Sequence, residues 1–101
     1  MQSSRAWPDL FLYHPVTHGD KQYCGLALEL KKEGTIVILK TGPRKGHISS
    51  NAHIQEQAAV LKQLNHLGYY ANFGVGFDDC VRIISWYLKR PINSANNSQM
   101  F

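Results

Sequence analysis

The order of apolar and polar positions divides the chain into five elements. Residues 9–13 form a short apolar run that is typical of a buried strand, and residues 23–31 predict a second strand. In this second strand the leucines occupy one face. Ala27, Glu29 and Lys31 occupy the other, because successive side chains alternate along a strand. Turn-forming residues fill positions 14–22 between the two runs.

A helix and a third strand follow. Apolar residues at helical spacing predict a helix over residues 54–67, with Ser50 or Asn51 as its N-cap. Gly68 is expected to end this helix at the C′ position, where a positive φ is common. Residues 69–75 are rich in aromatic and small side chains, which predicts a strand.

A last helix completes the predicted fold. Asp78 is its expected N-cap, and Val81, Ile84 and Leu88 give it an apolar face. The first two strands are close in sequence and should be antiparallel, whereas a crossover helix makes the second and third parallel. The order strand, strand, helix, strand, helix therefore predicts an α/β domain over residues 1–90, followed by a flexible tail at 91–101.

Composition fits one soluble domain. The chain has 101 residues, of which 44% are hydrophobic and 18% charged. No apolar run approaches the length of a membrane span, and the first eight residues lack the apolar segment of a secretory signal. We therefore expect a cytoplasmic protein, bacterial or viral in a host cell, with no membrane association. Cys24 and Cys80 suit a reducing compartment and are interpreted as packing residues.

The turn between the first two strands predicts which residues face each other. If the hairpin is centred on Gly19, residue i pairs with residue 38 − i, and Asp9 lies opposite Glu29. Directly opposed residues share a face with Cα atoms roughly 4.5–5.5 Å apart. Lys31 lies two residues further along, on the same face. Two acids and a lysine are thus expected to converge beside the small residue Ala27.

This convergence predicts metal chemistry. Two adjacent carboxylates repel each other on a half-buried face unless a positive group neutralises them. Oxygen ligation favours Mg²⁺ or Mn²⁺, which can activate water and polarise a phosphoryl oxygen. Lys31 can then orient the nucleophile or stabilise charge in the transition state. The alternative is a structural pair of Glu29 with Lys31 and a capping role for Asp9.

Gln57 is a further candidate for the site. On the first helix it falls on the stripe that must face the sheet, with Ile54, Ala58, Leu61 and Leu64. A glutamine in that position needs buried hydrogen-bond partners, and we expect Gln57 to fix Lys31, a metal-bound water or a phosphate. The alternative is a Gln at the helix edge with a solvated amide.

Basic residues gather in one segment of the chain, whose formal net charge is +4 and whose pI is about 9.2. Beside a site for phosphate chemistry, such a glycine-rich basic segment suits non-specific contacts with the DNA backbone. The alternative is a solvated loop. The candidate DNA-binding residues are Lys32, Lys40, Arg44, Lys45 and His47. The other histidines are interpreted mostly as surface residues.

Together these segments resemble a known nuclease signature. Pro8-Asp9-Leu-Phe-Leu followed by Gly25-Leu-Ala-Leu-Glu29-Leu-Lys31 resembles the PD-(D/E)xK pattern. The chain is more specifically similar to the virus-type replication-repair nuclease (VRR-NUC) family. That family places a Gln on the following helix and a Gly-Tyr before the next strand, as Gln57 and 68–69 do here. The resemblance spans about residues 7–88.

The resemblance implies a minimal restriction-endonuclease-like core that hydrolyses phosphodiester bonds in DNA. Asp9, Glu29 and the carbonyl of Leu30 would hold Mg²⁺ or Mn²⁺, and Lys31 would assist the attacking water. Stand-alone members of the family imply a homodimer acting on branched DNA, such as a four-way junction in DNA repair. Two alternatives stay open: a nuclease for flaps or single-strand ends, and a catalytically weak DNA-binding module of a larger protein.

The chain departs from the family in two ways. Only residues 1–7 precede Pro8, where the family usually carries a helix, and the segment 33–53 is longer than the usual link. Without that helix, one flank of the sheet is expected to be uncovered, which favours association. The candidate interface residues are Phe73, Val75, Trp86 and Tyr87.

Overall fold

A computed structural model of the chain describes residues 6–90, which form five strands and two helices. The predicted tail at 91–101 lies outside the described residues. The elements are β1 (Leu10–Leu12), β2 (Val16–His18), β3 (Lys21–Tyr23), β4 (Gly25–Lys31), α1 (Ala52–His66), β5 (Tyr69–Val75) and α2 (Phe77–Leu88).

The main sheet has the strand order β1-β4-β5. β1 pairs with β4 in the antiparallel sense, and β4 pairs with β5 in the parallel sense across the α1 crossover. The molecule is therefore α/β with a small mixed sheet and helical cover, and this predicted fold class is confirmed.

Strand β4 is the centre of the domain because both of its faces are covered. On one face Leu26 and Leu28 are fully buried against Ile83 and Tyr87 of α2. On the other face Ala27 is fully buried within a cluster that α1 and β5 complete. The two helices thus pack on opposite faces of the same strand.

Helix α1 spans Ala52–His66, two residues earlier at its start and one earlier at its end than the predicted 54–67, and its predicted cap residues are confirmed. The side chain of Asn51 accepts a hydrogen bond from the backbone N–H of Ile54 at 3.0 Å, which caps the first turn. Gly68 follows the helix with a φ of 109°, which a side chain would strain. The buried stripe of α1 contains Ile54, Gln57, Leu61 and Leu64.

A second hairpin, β2–β3, occupies the segment that the sequence predicts as a turn, and the predicted strand at 23–31 is interrupted at Cys24. The polar residues of this hairpin lack an apolar period, so the pattern does not reveal it. Ring packing holds it in place instead. His18 stacks on Trp86 with ring centroids 4.0 Å apart, and its Nε2–H donates to the Tyr87 carbonyl at 3.1 Å. The interpretation of His18 as a surface residue is therefore wrong.

Helix α2 also differs from its prediction in two respects. Its N-cap is Gly76 without a side-chain cap bond, so Asp78 lies in the first turn and does not cap the helix. The most buried residues are Ile83 and Tyr87, not Val81. A Cβ at Gly74 would lie 2.5 Å from the Cys80 sulfur, so only glycine permits this close approach of α2.

The burial of α2 also corrects the predicted interface. Tyr87 has no exposed surface, and its hydroxyl donates to the His14 carbonyl at 2.7 Å, so it belongs to the core.

Among residues 6–90, no helix has the length and apolar character needed to cross a membrane.

Candidate active site

The two candidate carboxylates lie opposite each other at the ends of β1 and β4. Leu10 pairs with Leu28, so the register sum is 38 as predicted, and one further step places Asp9 opposite Glu29. The Asp9 carboxylate also accepts a hydrogen bond from the Leu30 backbone N–H at 3.0 Å. This bond fixes Asp9 beside the strand that carries the other acid.

Glu29 and Gln57 form a buried polar pair between the sheet and α1. The Gln57 amide donates to Oε2 of Glu29 at 2.8 Å, and the two residues are only 3% and 5% exposed respectively. The helix places Gln57 on its inward stripe, and the strand places Glu29 on the face that meets it. The predicted inward position of Gln57 is therefore present, but its partner is Glu29 and not the expected Lys31, metal-bound water or phosphate.

Each member of this pair retains one buried oxygen without a hydrogen bond. Oε1 of Glu29 and Oε1 of Gln57 have no donor among the described protein atoms. Buried polar atoms are nearly always paired, so these two oxygens are open to water, a ligand or an ion. The carboxylate oxygen is the stronger signal, because a buried charged oxygen without a donor is costly.

The electrostatics of Glu29 point the same way. Burial, followed by the charge and hydrogen bonding of neighbouring Asp9, raises the pKa of Glu29 from 4.5 to about 7, and Lys31 opposes the rise. Near neutral pH the carboxyl is therefore poised between its charged and neutral forms. A cation placed beside Asp9 and Glu29 would favour the charged form of both.

Lys31 lies at the carboxyl end of β4 and is half-buried. Its backbone carbonyl accepts from the Gly76 N–H at 2.8 Å, which anchors the strand end to the start of α2. Its ammonium group is close enough to lower the pKa of Glu29. The structure thus brings Asp9, Glu29, Lys31 and Gln57 together.

His53 joins this cluster, and the sequence interpretation missed it. Its Nε2 lies 3.3 Å from the Gln57 amide nitrogen, one helical turn away, and its Nδ1 lies 3.8 Å from a carboxylate oxygen of Glu56. In this contact the amide nitrogen donates and His53 Nε2 accepts, since an amide NH₂ cannot accept. The spacing of four residues between His53 and Gln57 was the available signal.

The candidate DNA-binding residues are all exposed, and the structure assigns them no contact with the carboxylates. The segment that carries four of them folds back on itself through an isolated bridge between Ile38 and Ile48. Val37 buries its side chain beneath this turn. The exposed residues are Lys32, Lys40, Arg44, Lys45 and His47.

The donor set suits one hard cation. Within residues 6–90 no three His, Cys, Asp or Glu side chains gather at metal-binding distance, so Asp9 and Glu29 would act as the only side-chain ligands. Mg²⁺ is commonly held by one or two carboxylates and keeps several waters. The orphaned oxygen of Glu29 meets this requirement.

Comparison with known proteins supports the fold. No protein-family model matches the chain, and neither does any curated protein sequence. A solved structure described as a "VRR_NUC domain protein" is similar, with a TM-score of 0.52 and 23% sequence identity. The similarity covers 85% of this chain and 55% of that chain, so this chain spans about half of its length. The two proteins share a fold.

Proposed function

We propose that this chain is a metal-dependent nuclease that hydrolyses phosphodiester bonds in DNA. The observation that carries the proposal is the meeting of Asp9, Glu29 and Lys31 on one sheet face, with the orphaned carboxylate oxygen of Glu29 among them. The similarity to the VRR_NUC domain protein supports it at the level of the fold.

Each residue has a distinct role in this proposal. Asp9, Glu29 and the Leu30 carbonyl hold Mg²⁺ or Mn²⁺, which supplies positive charge against the phosphoryl oxygens when bound. Gln57 holds Glu29 through its amide donor. Lys31 orients the attacking water and stabilises the charge that develops on the phosphate.

A substrate panel tests this function. Plasmid, four-way junctions, flaps and single strands are incubated with Mg²⁺, Mn²⁺, Ca²⁺ or excess chelator. We expect cleavage with Mg²⁺ and Mn²⁺, and DNA binding without cleavage with Ca²⁺. In excess chelator we expect no cleavage and no contribution of metal to DNA binding. Glu29→Gln is the matched control, because it keeps the size of the side chain and removes the charge. Undiminished cleavage in chelator overturns the mechanism, and binding without cleavage in every metal favours the DNA-binding module.

We further propose branched DNA as the preferred substrate and a homodimer as the active form, since a two-fold pair of sites can cut two strands. The described surface offers an apolar patch beside β1, where Trp7, Tyr13 and Leu67 are 46%, 76% and 71% exposed. This patch replaces Tyr87 as the candidate interface. Light scattering at micromolar concentration should give twice the chain mass, and Leu67→Glu should reduce it to the monomer. A monomer that cuts junctions favours the flap nuclease instead.

The basic segment remains the proposed contact with the DNA backbone. Changing Lys40, Arg44 and Lys45 to alanine together should weaken the binding of every DNA shape. The slope of log affinity against log salt concentration should become shallower by the equivalent of roughly three phosphate contacts, because each lost contact reduces that slope. An unchanged slope would identify a solvated loop.

A further inference from the structure

The outer edge of β5 borders a groove of about 650 Å³ that the proposed chemistry does not use. We call it the edge groove. Its walls come mainly from α1, β5 and the turn at 37–49. Phe73 and Val75 line it, and they pair in register with Glu29 and Lys31. Since neighbouring strands lie about 4.8 Å apart, the edge groove opens beside the candidate active site.

The edge groove is not available for pairing with another strand. An edge strand normally presents free backbone N–H and C=O groups to a second molecule. Here the Asn65 amide accepts from the Ala71 N–H at 3.0 Å and donates to the Ala71 carbonyl at 2.9 Å. Further along the same edge, the Phe73 N–H donates to the Asn72 side chain at 2.8 Å, and the Val75 N–H donates to the Asp79 side chain at 2.9 Å. Strand addition by a peptide or a second copy is therefore disfavoured.

The charge of the edge groove is basic. Lys21, Lys62, His66 and Arg82 line it, and Asp79 is the one acid among the lining residues described. Asp79 is already engaged, because Arg82 donates to it at 2.7 Å. Within residues 6–90 neither lysine forms an ion pair, and the Lys21 ammonium lies 5.8 Å from the centre of the Tyr23 ring. Both ammonium groups can therefore meet an anion.

Apolar surface lies between these cations. Ile38, Ile48 and Phe73 contribute to the walls, and Ile38 is 44% exposed. A strand of nucleic acid without a complement presents phosphates along its backbone and apolar base faces beside them. Proteins bind such strands with basic grooves that also supply aromatic and apolar surface.

We propose that the edge groove holds a single nucleic-acid strand that leads to Glu29 and Lys31. Lys21 and Lys62 contact its phosphates, and Ile38 and Phe73 contact its bases. This inference rests on the proposed nuclease function and adds the path of the substrate strand to it.

Binding without cleavage tests the charge component. The anisotropy of a labelled oligothymidine of about twelve nucleotides is measured in chelator with the full chain. The Lys21→Glu, Lys62→Glu double variant should bind at least about tenfold more weakly, with a salt slope smaller by about 1.4. The control is Lys89→Glu with Arg90→Glu, which makes the same charge change outside the edge groove. We expect a loss below about threefold for it. Thermal melting establishes that every variant is folded.

A matched pair of isoleucines tests the apolar component. Ile36 and Ile38 are 46% and 44% exposed in the same segment, but only Ile38 lines the edge groove. Ile38→Ala should weaken oligothymidine binding by about threefold or more, and Ile36→Ala should leave it unchanged.

The outcomes separate this inference from the function on which it rests. Equal losses in the two charge variants would overturn the edge groove as a strand site. The inference would also be overturned if the wild type were a dimer and the lysine double variant a monomer with unchanged affinity for oligothymidine. In that case a second copy of the chain would occupy the edge groove. If wild type and edge-groove variants bind and cut alike, the inference fails and the nuclease function stands. A wild type that neither binds nor cuts DNA in any metal overturns the proposed function itself.

Discussion

The two faces of β4 differ in polarity and in hydrogen bonding. Towards α2, Leu26 and Leu28 are fully buried with Ile83 and Tyr87, and the Tyr87 hydroxyl has an acceptor. Towards α1, apolar packing extends from Ala27 only as far as Glu29, where two buried oxygens lack hydrogen bonds. One strand therefore carries a satisfied core on one side and an unsatisfied polar site on the other.

This difference indicates that the α2 face of β4 mainly stabilises the domain, whereas the α1 face carries the proposed chemistry. A buried carboxyl whose pKa is raised to about 7 makes the domain less stable when it ionises, and the charge of Lys31 offsets this only in part. The α2 face supplies compensating apolar burial. If this division is correct, substitutions on the two faces should affect different measurements.

The largest effect is expected for Lys31→Ala. The cleavage rate should fall by about 10²-fold, since loss of one transition-state stabiliser costs roughly 3 kcal/mol, while DNA affinity changes little. Single-turnover cleavage of bound DNA measures this, with Lys89→Ala, an exposed lysine outside the site, as the control. A variant that loses affinity but cuts bound DNA at the normal rate would leave Lys31 as a phosphate contact only.

The pH dependence of stability comes next. Because the folded pKa of Glu29 is raised above its ordinary value near 4.5, the protonated form is favoured by folding. Its contribution is fully present below pH 4.5 and is lost as the pH rises through 7, by roughly 3 kcal/mol in total. Urea unfolding in chelator should show this loss in the wild type and not in Glu29→Gln. Parallel pH profiles for the two proteins would contradict the burial of this charge.

His53→Ala should give a smaller effect through Gln57. Loss of the acceptor at 3.3 Å frees the amide that holds Glu29, so Mn²⁺ affinity should fall by about tenfold. Electron paramagnetic resonance of free Mn²⁺ measures it without cleavage. His53→Gln, which can still accept, should restore most of the affinity. Equal affinities for His53→Ala and wild type would make the contact incidental.

The smallest effect tests the opposite face. Ile83→Val removes one methylene from the α2 cluster, where Ile83 is 2% exposed, and should destabilise the domain by about 1 kcal/mol. Cleavage of bound DNA should not change. A rate loss comparable to that of Lys31→Ala would show that the two faces are coupled.

Local patterns predicted the parts of the fold that depend on local rules. The Asn51 cap, the Gly68 stop and the strand at 69–75 each follow from short-range preferences. The register sum of 38 that opposes Asp9 to Glu29 is as predicted, but it arises from a β2–β3 hairpin with a sum of 39 and one extra residue at 13–15. The Gln57 contact followed from a polar residue on an apolar stripe. The catalytic and metal-binding roles remain predictions.

Features that depend on tertiary packing were not predictable in this way. The β2–β3 hairpin has no apolar alternation, and rings from α2 determine its position. Gly74 of β5 leaves the space that the Cys80 sulfur of α2 fills, and the pattern of neither segment alone specifies this contact. His53 is polar and exposed, so its contact with the site could be inferred only from its spacing of four residues from Gln57.

The pairing of β1 with β4 sets a limit on which insertions the chain can accept. β1 and β4 pair with a register sum of 38, whereas β2 and β3 pair with a sum of 39, so the extra residue on the first side is absorbed at 13–15. An insertion there that shifted the β1–β4 register by one residue would move Asp9 to the opposite face of the sheet, because a single-residue slip reverses every side chain. Lengthening the exposed turn at 40–46 would leave Asp9 and Glu29 in place. Natural length variation should therefore concentrate in that turn and avoid the segment between β1 and β4.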